Sequence, residues 1–348
     1  MALKAIVVGL GKQNVQDYLP ALQANDKFEI VAVCDLEPAK VEEVSQRYDC
    51  KGVVELDRFL VGNGREIDVA FVAVPHNQYK SVIWTLAKHG IDIIKEKPFA
   101  MCKAEAAQIA QEVYRNNVTL MMTLQRRHDP FFQTFGEYIG SIGDIHNVSA
   151  QYVMNIPQLD EGWRSQKSLA GGGALIDLGY HYVDLLIWYF GIPSRVFCNM
   201  SSGNRPKQRY DVEDTAAIQF AYKRNGRDSV IGQLLLSRVH WNKREHLRVI
   251  GTKGGAVLDN EKITVDYDNG ESLEISREDF PSQSEVLQRQ LNYFGSKLLS
   301  GEFAGKIDPH FLEQMAFVEA AYQSATDSCP IGPSSVLSVA TVNYGSVV

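Results

Sequence analysis

The sequence predicts an α/β chain: an N-terminal parallel sheet wrapped by helices, then a C-terminal α+β domain with a mainly antiparallel open sheet. Three observations carry this. Up to about residue 123, short β-branched runs alternate with helical stretches. After Arg127 the rhythm changes to strands separated by polar turns. The length of 348 residues, 45% hydrophobic and 22% charged, suffices for two cores at about 150 residues each. The expected domains are 1–123 and 124–348.

In the first domain, strands are expected at 3–8, 28–34, 52–54, 69–74, 91–94 and 118–122. Several are continuous apolar runs, as strands buried on both faces require. Helices fit 38–47, 79–89 and 103–114, the first opened by Pro38, whose fixed φ suits a helix start. The second domain begins with a helix near 130–139 and a strand at 145–154. An irregular loop and a strongly apolar helix follow. Later strands are expected at 195–201, 215–222, 229–236, 245–250 and 263–267, with turn signals at Asn225-Gly226 and Asp268-Asn269-Gly270. Helices at 285–299 and 311–324 close the pattern.

The net charge of −7 supplies no general attraction to nucleic acid or anionic lipid. The most apolar stretch, 174–192, contains Asp177, His181 and Asp184, so a membrane span is not expected. The opening residues run straight into a strand and leave no room for a signal peptide, which makes a soluble cytoplasmic protein the expectation. Five scattered cysteines without a CxxC pair indicate reduced, buried thiols rather than disulfides or zinc.

Gly9-Leu10-Gly11-Lys12-Gln13-Asn14 follows the first strand and precedes a helix-compatible segment. There the first glycine permits a tight turn and the second lets a phosphate approach free amides at a helix N-terminus. Asn14 replaces the third glycine, at a position concerned with helix–strand packing. Asp35 ends the second strand about 20 residues further on, where an acid accepts ribose hydroxyls and repels a 2′-phosphate. With no arginine at Leu36 or Glu37, this favours NAD over NADP. The competing reading is that Asp35 caps the helix opening at Pro38.

Lys95-Glu96-Lys97-Pro98 places Lys97 at the carboxyl end of a parallel strand, where open α/β sheets bind ligands. Pro98 biases Lys97 towards an extended conformation. Further on, Gly171-Gly172-Gly173 leads into a helix on which regular spacing sets Asp177, His181 and Asp184 along one stripe. Unpaired charges on an otherwise apolar helix are costly. A core histidine satisfied by an acid, a metal site and an acid–base pair all fit, and the stripe alone leaves them open.

Together these segments resemble the Gfo/Idh/MocA oxidoreductases, the glucose–fructose oxidoreductase and inositol dehydrogenase relatives. The resemblance rests on the glycine turn, on Glu96-Lys97-Pro98, and on Gly171-Gly172-Gly173 running into Asp177, Gly179, His181 and Asp184. It implies an N-terminal Rossmann domain, a C-terminal sheet that makes a homodimer or homotetramer, and hydride transfer at a sugar-type carbinol. It also implies catalytic roles for Lys97 and His181, with Asp177 accompanying them. Cofactor contacts are implied for Gly9, Gly11, Lys12, Gln13, Asn14, Asp35, Val74, Pro75, His76, Glu96, Lys97 and Gln125. Substrate contacts are implied for Arg127, Trp163 and Arg164 beside Lys97, Asp177 and His181. No metal is implied. The chain departs from the family pattern at Asn14, at His76, where asparagine is common, and at Tyr79, where histidine is common.

These residues lead to the expectation that His181 acts as general base and Lys97 stabilises an alkoxide, while Asp177 orients His181 and Arg164 grips the substrate. Arg126, Arg127, Arg164 and Lys167 raise an anionic sugar as substrate beside a neutral sugar or cyclitol. Two other readings stand against a dehydrogenase: an NAD-recycling glycosidase working through transient oxidation, and a catalytically silent NAD-binding regulator.

Overall fold

The computed structural model describes residues 2–224 and 226–337. Asn225, expected in a tight turn, lies outside the described residues, as do 338–348 of the expected second domain. The chain divides into two compact units. Among the described residues, the first comprises 2–100, Glu105–His128 and Ser282–Asp308; the second comprises Met101–Ala104, 129–224, 226–281 and 309–337.

The first unit holds β1 (Leu3–Val8), β2 (Phe28–Cys34), β3 (Lys51–Val53), β4 (Val69–Val72), β5 (Asp92–Lys95) and β6 (Leu120–Met122). They form one sheet in the order β3-β2-β1-β4-β5-β6, with every neighbouring pair parallel. The order reverses between β1 and β4, the switch point at which such sheets bind ligands. The crossovers carry α1 (Leu19–Gln23), α2 (Pro38–Arg47), α3 (Leu56–Asn63), α4 (Tyr79–Lys88) and α5 (Lys103–Arg115). A π-helical turn, Asn14–Tyr18, leads into α1.

The second unit is an eight-stranded sheet: β7 (Ile145–Asn155), β8 (Arg195–Ser201), β9 (Thr215–Arg224), β10 (Arg227–Ser237), β11 (Val239–Gly251), β12 (Gly254–Asp259), β13 (Lys262–Tyr267) and β14 (Ser272–Ser276). Their order is β14-β13-β12-β11-β7-β10-β9-β8, antiparallel except for β7 with β10. Helices α6 (Pro130–Ile139), α7 (Lys167–Ala170) and α8 (Tyr180–Phe190) precede the later strands, and α9 (Gln283–Ser300), α10 (Pro309–Asp327) and α11 (Pro333–Leu337) follow them. Along β10, Val230, Leu234 and Leu236 are buried while Ile231 and Leu235 are exposed, the period-2 alternation of a sheet covered on one face. Phe317 of α10 packs on Phe220 of β9.

Three differences from the sequence reading have physical causes. The domain cut at 123/124 treats the remainder as contiguous, whereas α9 returns to the first unit. Its Leu291, Phe294 and Leu298 share a core with Val7, Leu19, Leu22 and Phe28, and Asn25 donates to Gln288 and Asn292. Amphipathic spacing marks a helix but not the surface that receives it. β12 and β14 were not expected: one opens with two glycines, the other is an exposed edge strand with little apolar content. β11 starts at Val239, well before 245, a start concealed by the polar residues Asn242, Lys243 and Arg244. Among the described residues no helix is long and apolar enough to cross a membrane.

Candidate active site

All six strands of the first sheet run the same way, so their carboxyl ends share one edge. Gly9 follows β1 with φ of +88°, and a Cβ there would lie 2.3 Å from the Ala73 carbonyl oxygen. Only glycine serves at this turn. At Gly11 a Cβ would meet nothing within 4 Å. The protein itself does not demand a glycine there, and the open space above the backbone is what a pyrophosphate approaching the helix N-terminus requires. Lys12 and Gln13 are exposed beside it, and Gln13 donates to Asp17.

Asn14 is buried and donates through its amide to the carbonyls of Val8 (3.2 Å) and Gly9 (2.6 Å). The residue that breaks the glycine fingerprint thereby laces the turn to the strand end. Asp35 accepts from the backbone N–H groups of Leu10 and Glu37. Val74 and Pro75 follow β4 and lead into a short 3₁₀ turn, His76–Gln78. His76 is buried there, its ring stacked against that of Tyr79.

Glu96, Lys97 and Pro98 leave β5 with a cis Lys97-Pro98 peptide bond. The Glu96 carboxylate accepts from the Tyr18 hydroxyl at 3.0 Å and from the Gln125 amide at 3.5 Å, and Gln125 also donates to Tyr18 at 3.2 Å. The Tyr18 pKa stands well above 10.0, raised by burial and then by the Glu96 charge. Elements far apart in sequence thus converge on this turn. Gln125 opens a 3₁₀ turn, Gln125–His128. Arg127 in that turn forms an ion pair with Asp308 at 3.2 Å.

In the second unit the glycine run is dictated by close approach. A Cβ at Gly172 would lie 1.9 Å from the Tyr322 hydroxyl oxygen, and one at Gly173 would lie 2.0 Å from the Glu213 carbonyl oxygen. The Glu213 carboxylate accepts from Gly173 N–H (2.9 Å), Leu175 N–H (2.8 Å) and the Tyr322 hydroxyl (2.9 Å). It thereby satisfies donors at the start of the helix, where a negative charge is favourable.

Asp177 lies in a π-helical turn, Ala174–Leu178, that precedes α8. Its carboxylate accepts from Arg164 Nε at 3.1 Å, and the Arg164 guanidinium lies 4.2 Å from the centre of the Trp163 ring. The His181 ring meets Tyr152 edge-on with centroids 6.4 Å apart. Asp184, the third residue of the expected stripe, is 1% exposed and accepts from the Gln314 amide of α10 at 2.7 Å. This bond ties α8 to α10. A π turn carries Asp177 while His181 and Asp184 lie in the α-helix that follows it, and such turns often mark functional sites. Among the described residues, no group of three His, Cys, Asp or Glu side chains is placed to hold a metal ion.

Sequence reasoning missed Tyr18, Lys95 and Glu213. Lys95 left a signal, as a charge ending the apolar run Ile93-Ile94. Tyr18 and Glu213 left none, because their partners lie far along the chain.

The sequence pattern of an oxidoreductase family with an NAD-binding Rossmann fold matches residues 3–124, and that of the GFO/IDH/MocA C-terminal domain matches residues 139–257. A scyllo-inositol 2-dehydrogenase (NADP(+)) of Bacillus subtilis (strain 168) is 25% identical over 212 residues, 60% of this chain and 58% of that one. A levoglucosan dehydrogenase of Pseudarthrobacter phenanthrenivorans is 24% identical over 257 residues, 66% of this chain and 65% of that one. The matched stretches thus span less than two thirds of these relatives. Among solved structures, levoglucosan dehydrogenase in complex with NADH and levoglucosan superposes with a TM-score of 0.82 at 20% identity, covering 95% of this chain and 99% of that one. An oxidoreductase from Agrobacterium radiobacter in complex with NAD+, L-tartaric acid and magnesium gives 0.82 at 19% identity over 97% of this chain and 100% of that one. At these identities the structures share the fold.

Proposed function

The chain belongs to the Gfo/Idh/MocA oxidoreductase family, and from that premise we propose that it moves a hydride between NAD and a CH–OH carbon of a sugar or cyclitol. The observation that carries the reading is the Glu96-Lys97-Pro98 turn. It stands at the carboxyl edge of the same parallel sheet whose β1 ends in the open glycine turn. Gly9, Gly11 and the amides after them fit a pyrophosphate, and the Asp35 carboxylate favours ribose hydroxyls over a 2′-phosphate. Support for NAD over NADP is this carboxylate, set against relatives that use NADP.

When bound, the nicotinamide supplies the hydride acceptor. Oxidation of a carbinol also removes a proton from its oxygen, and His181 is the group that takes it, since a neutral imidazole is a base near pH 7. Lys97 stabilises the alkoxide oxygen with its ammonium. Asp177, held by Arg164, orients His181. In the reverse direction the same groups return the proton. Arg164, with its side chain 51% exposed, and Trp163 are the proposed substrate contacts of the second unit. Arg127, already paired with Asp308, is a weaker candidate for gripping an anionic substrate.

Self-association through the eight-stranded sheet is part of the reading. Ile231 is 61% exposed and Leu235 38% exposed on the face of β10 turned away from the core, and Trp241 on β11 is 72% exposed. Exposed apolar groups grouped on one sheet are the mark of an interface.

The test is NADH formation with neutral sugars, sugar phosphates and cyclitols, using NAD and NADP in parallel, on the wild type, Lys97→Met and His181→Asn. We expect turnover of at least one substrate with NAD, lost by roughly 10²–10⁴-fold in each variant while NADH binding is retained. Near-normal turnover in Lys97→Met defeats the assignment. Release of free sugar without net NADH assigns redox-neutral cleavage instead. NADH binding with neither reaction assigns a regulator.

A further inference from the structure

Lys95, the last residue of β5, is 0% exposed. Its Nζ donates to the Glu96 carbonyl at 2.6 Å and to the Pro98 carbonyl. It also lies 3.6 Å from the centre of the Tyr79 ring, at the start of α4. The two carbonyls flank Lys97 on either side, so one buried ammonium grips both ends of the dipeptide that presents the proposed catalytic lysine. Tyr18 and Gln125 hold the same turn by the Glu96 carboxylate, which leaves the Lys95 bonds as an independent hold on its backbone.

Stability of the strand does not explain a lysine here. Ile93 and Ile94 occupy β5 as an apolar strand requires, and an ammonium taken out of water carries a large desolvation cost. Burial pulls the Lys95 pKa from 10.5 to about 7, against the opposing pull of Glu96 and Glu105 and with the push of Lys97. A methionine would fill the position without that cost but would leave two carbonyls without their donor.

We infer that Lys95 is a positioning residue, which fixes the Glu96-Lys97-Pro98 turn through the Glu96 and Pro98 carbonyls so that Lys97 is presented in one orientation. The inference rests on the reading of Lys97 as a catalytic group, but the turn itself can be followed without any turnover. Lys95 has no contact with reacting atoms in this assignment; it acts through the backbone of Lys97.

The experiment compares wild type, Lys95→Met and Lys95→Gln as full-length proteins. Four readouts are taken: backbone hydrogen exchange over residues 96–104, thermal midpoint, NADH affinity and, for any substrate the wild type turns over, kcat and KM. In Lys95→Met we expect exchange confined to that segment to accelerate about tenfold or more with the midpoint unchanged or raised. We expect kcat to fall about tenfold or more while NADH affinity stays within about threefold. Lys95→Gln, which keeps N–H donors but no charge, should recover part of both effects. Unchanged exchange and unchanged kcat overturn the inference. So does a lowered midpoint with faster exchange throughout the first sheet, or a Met variant that does not fold beside a Gln variant with wild-type exchange, because Lys95 is then a structural strut. If the wild type turns over nothing, the dehydrogenase reading fails on its own and exchange at 96–104 still decides the role of Lys95.

Discussion

The Asp35 carboxylate accepts the backbone N–H of Leu10 at 2.6 Å through one oxygen, and that of Glu37 at 3.0 Å through the other. One side chain ties the end of β2 to the glycine turn and sets the approach to α2. Each carboxylate oxygen has a further lone pair, so the same group can accept from a ribose hydroxyl. The competing reading of Asp35 as the cap of α2 does not hold, because the N-cap is Glu37 and its helix start carries no side-chain cap bond; Asp35 braces the turn before it and keeps lone pairs for a ribose hydroxyl.

Asp35→Ser removes the charge and weakens both hydrogen bonds. Charge-assisted bonds are worth about 1.5–3 kcal/mol each, so NADH affinity should fall by roughly tenfold or more. NADPH affinity should fall less or rise, since the repulsion of a 2′-phosphate is gone. Fluorescence titration with both dinucleotides checks this; an unchanged ratio of the two affinities contradicts the assignment of Asp35 as the discriminating residue.

Tyr18→Phe deletes the hydroxyl that donates to Glu96 and accepts from Gln125. The groups left behind are buried or half-buried, so the variant should lose about 1–3 kcal/mol of stability in a denaturant titration. A loss under about 0.5 kcal/mol would show that water replaces the hydroxyl without cost.

His128 packs against the rings of Tyr293 and Phe294. Burial, with a smaller contribution from Arg127, holds its pKa at about 4 instead of 6.5. Below pH 6.5 the unfolded chain takes up a proton that the folded chain refuses until about pH 4. Stability from this group is therefore complete above pH 6.5 and is lost as the pH falls through that window, by up to about 3 kcal/mol. In His128→Phe that part of the acid destabilisation should vanish, as thermal melts from pH 7 to pH 4 would reveal.

Ile231→Asp places a charge on the exposed face of β10 without touching the core beneath. Under the proposed self-association the variant should dissociate to a smaller species in sedimentation velocity, with its thermal midpoint measured alongside. An unchanged sedimentation coefficient would remove this face as the interface.

Much of the first unit is legible in the residues. Gly9, Asp35 and Lys97 fall at strand ends that apolar runs make plain, and parallel strands must present those ends on one edge. The Gly172 and Gly173 pair is legible as a motif, but its cause is not: Tyr322 and Glu213 approach from remote parts of the chain. The same holds for α9. Its spacing announces a buried face, while its partners Leu19 and Leu22 lie some 270 residues earlier in the sequence.

By itself the sequence determined what depends on neighbours along the chain: the alternation of strands and helices, the glycine turn, the acid ending β2 and the lysine before Pro98. Tertiary contacts assign α9 to the first unit and give Asp184 the Gln314 amide as a partner. The tertiary structure alone showed Asn14, in place of the third glycine, lacing the turn to the strand end, and a buried Lys95 gripping the backbone on both sides of Lys97. The reason is common to all four. Local spacing sets backbone geometry, whereas the use of a polar side chain depends on which distant donor or acceptor it meets once water is excluded.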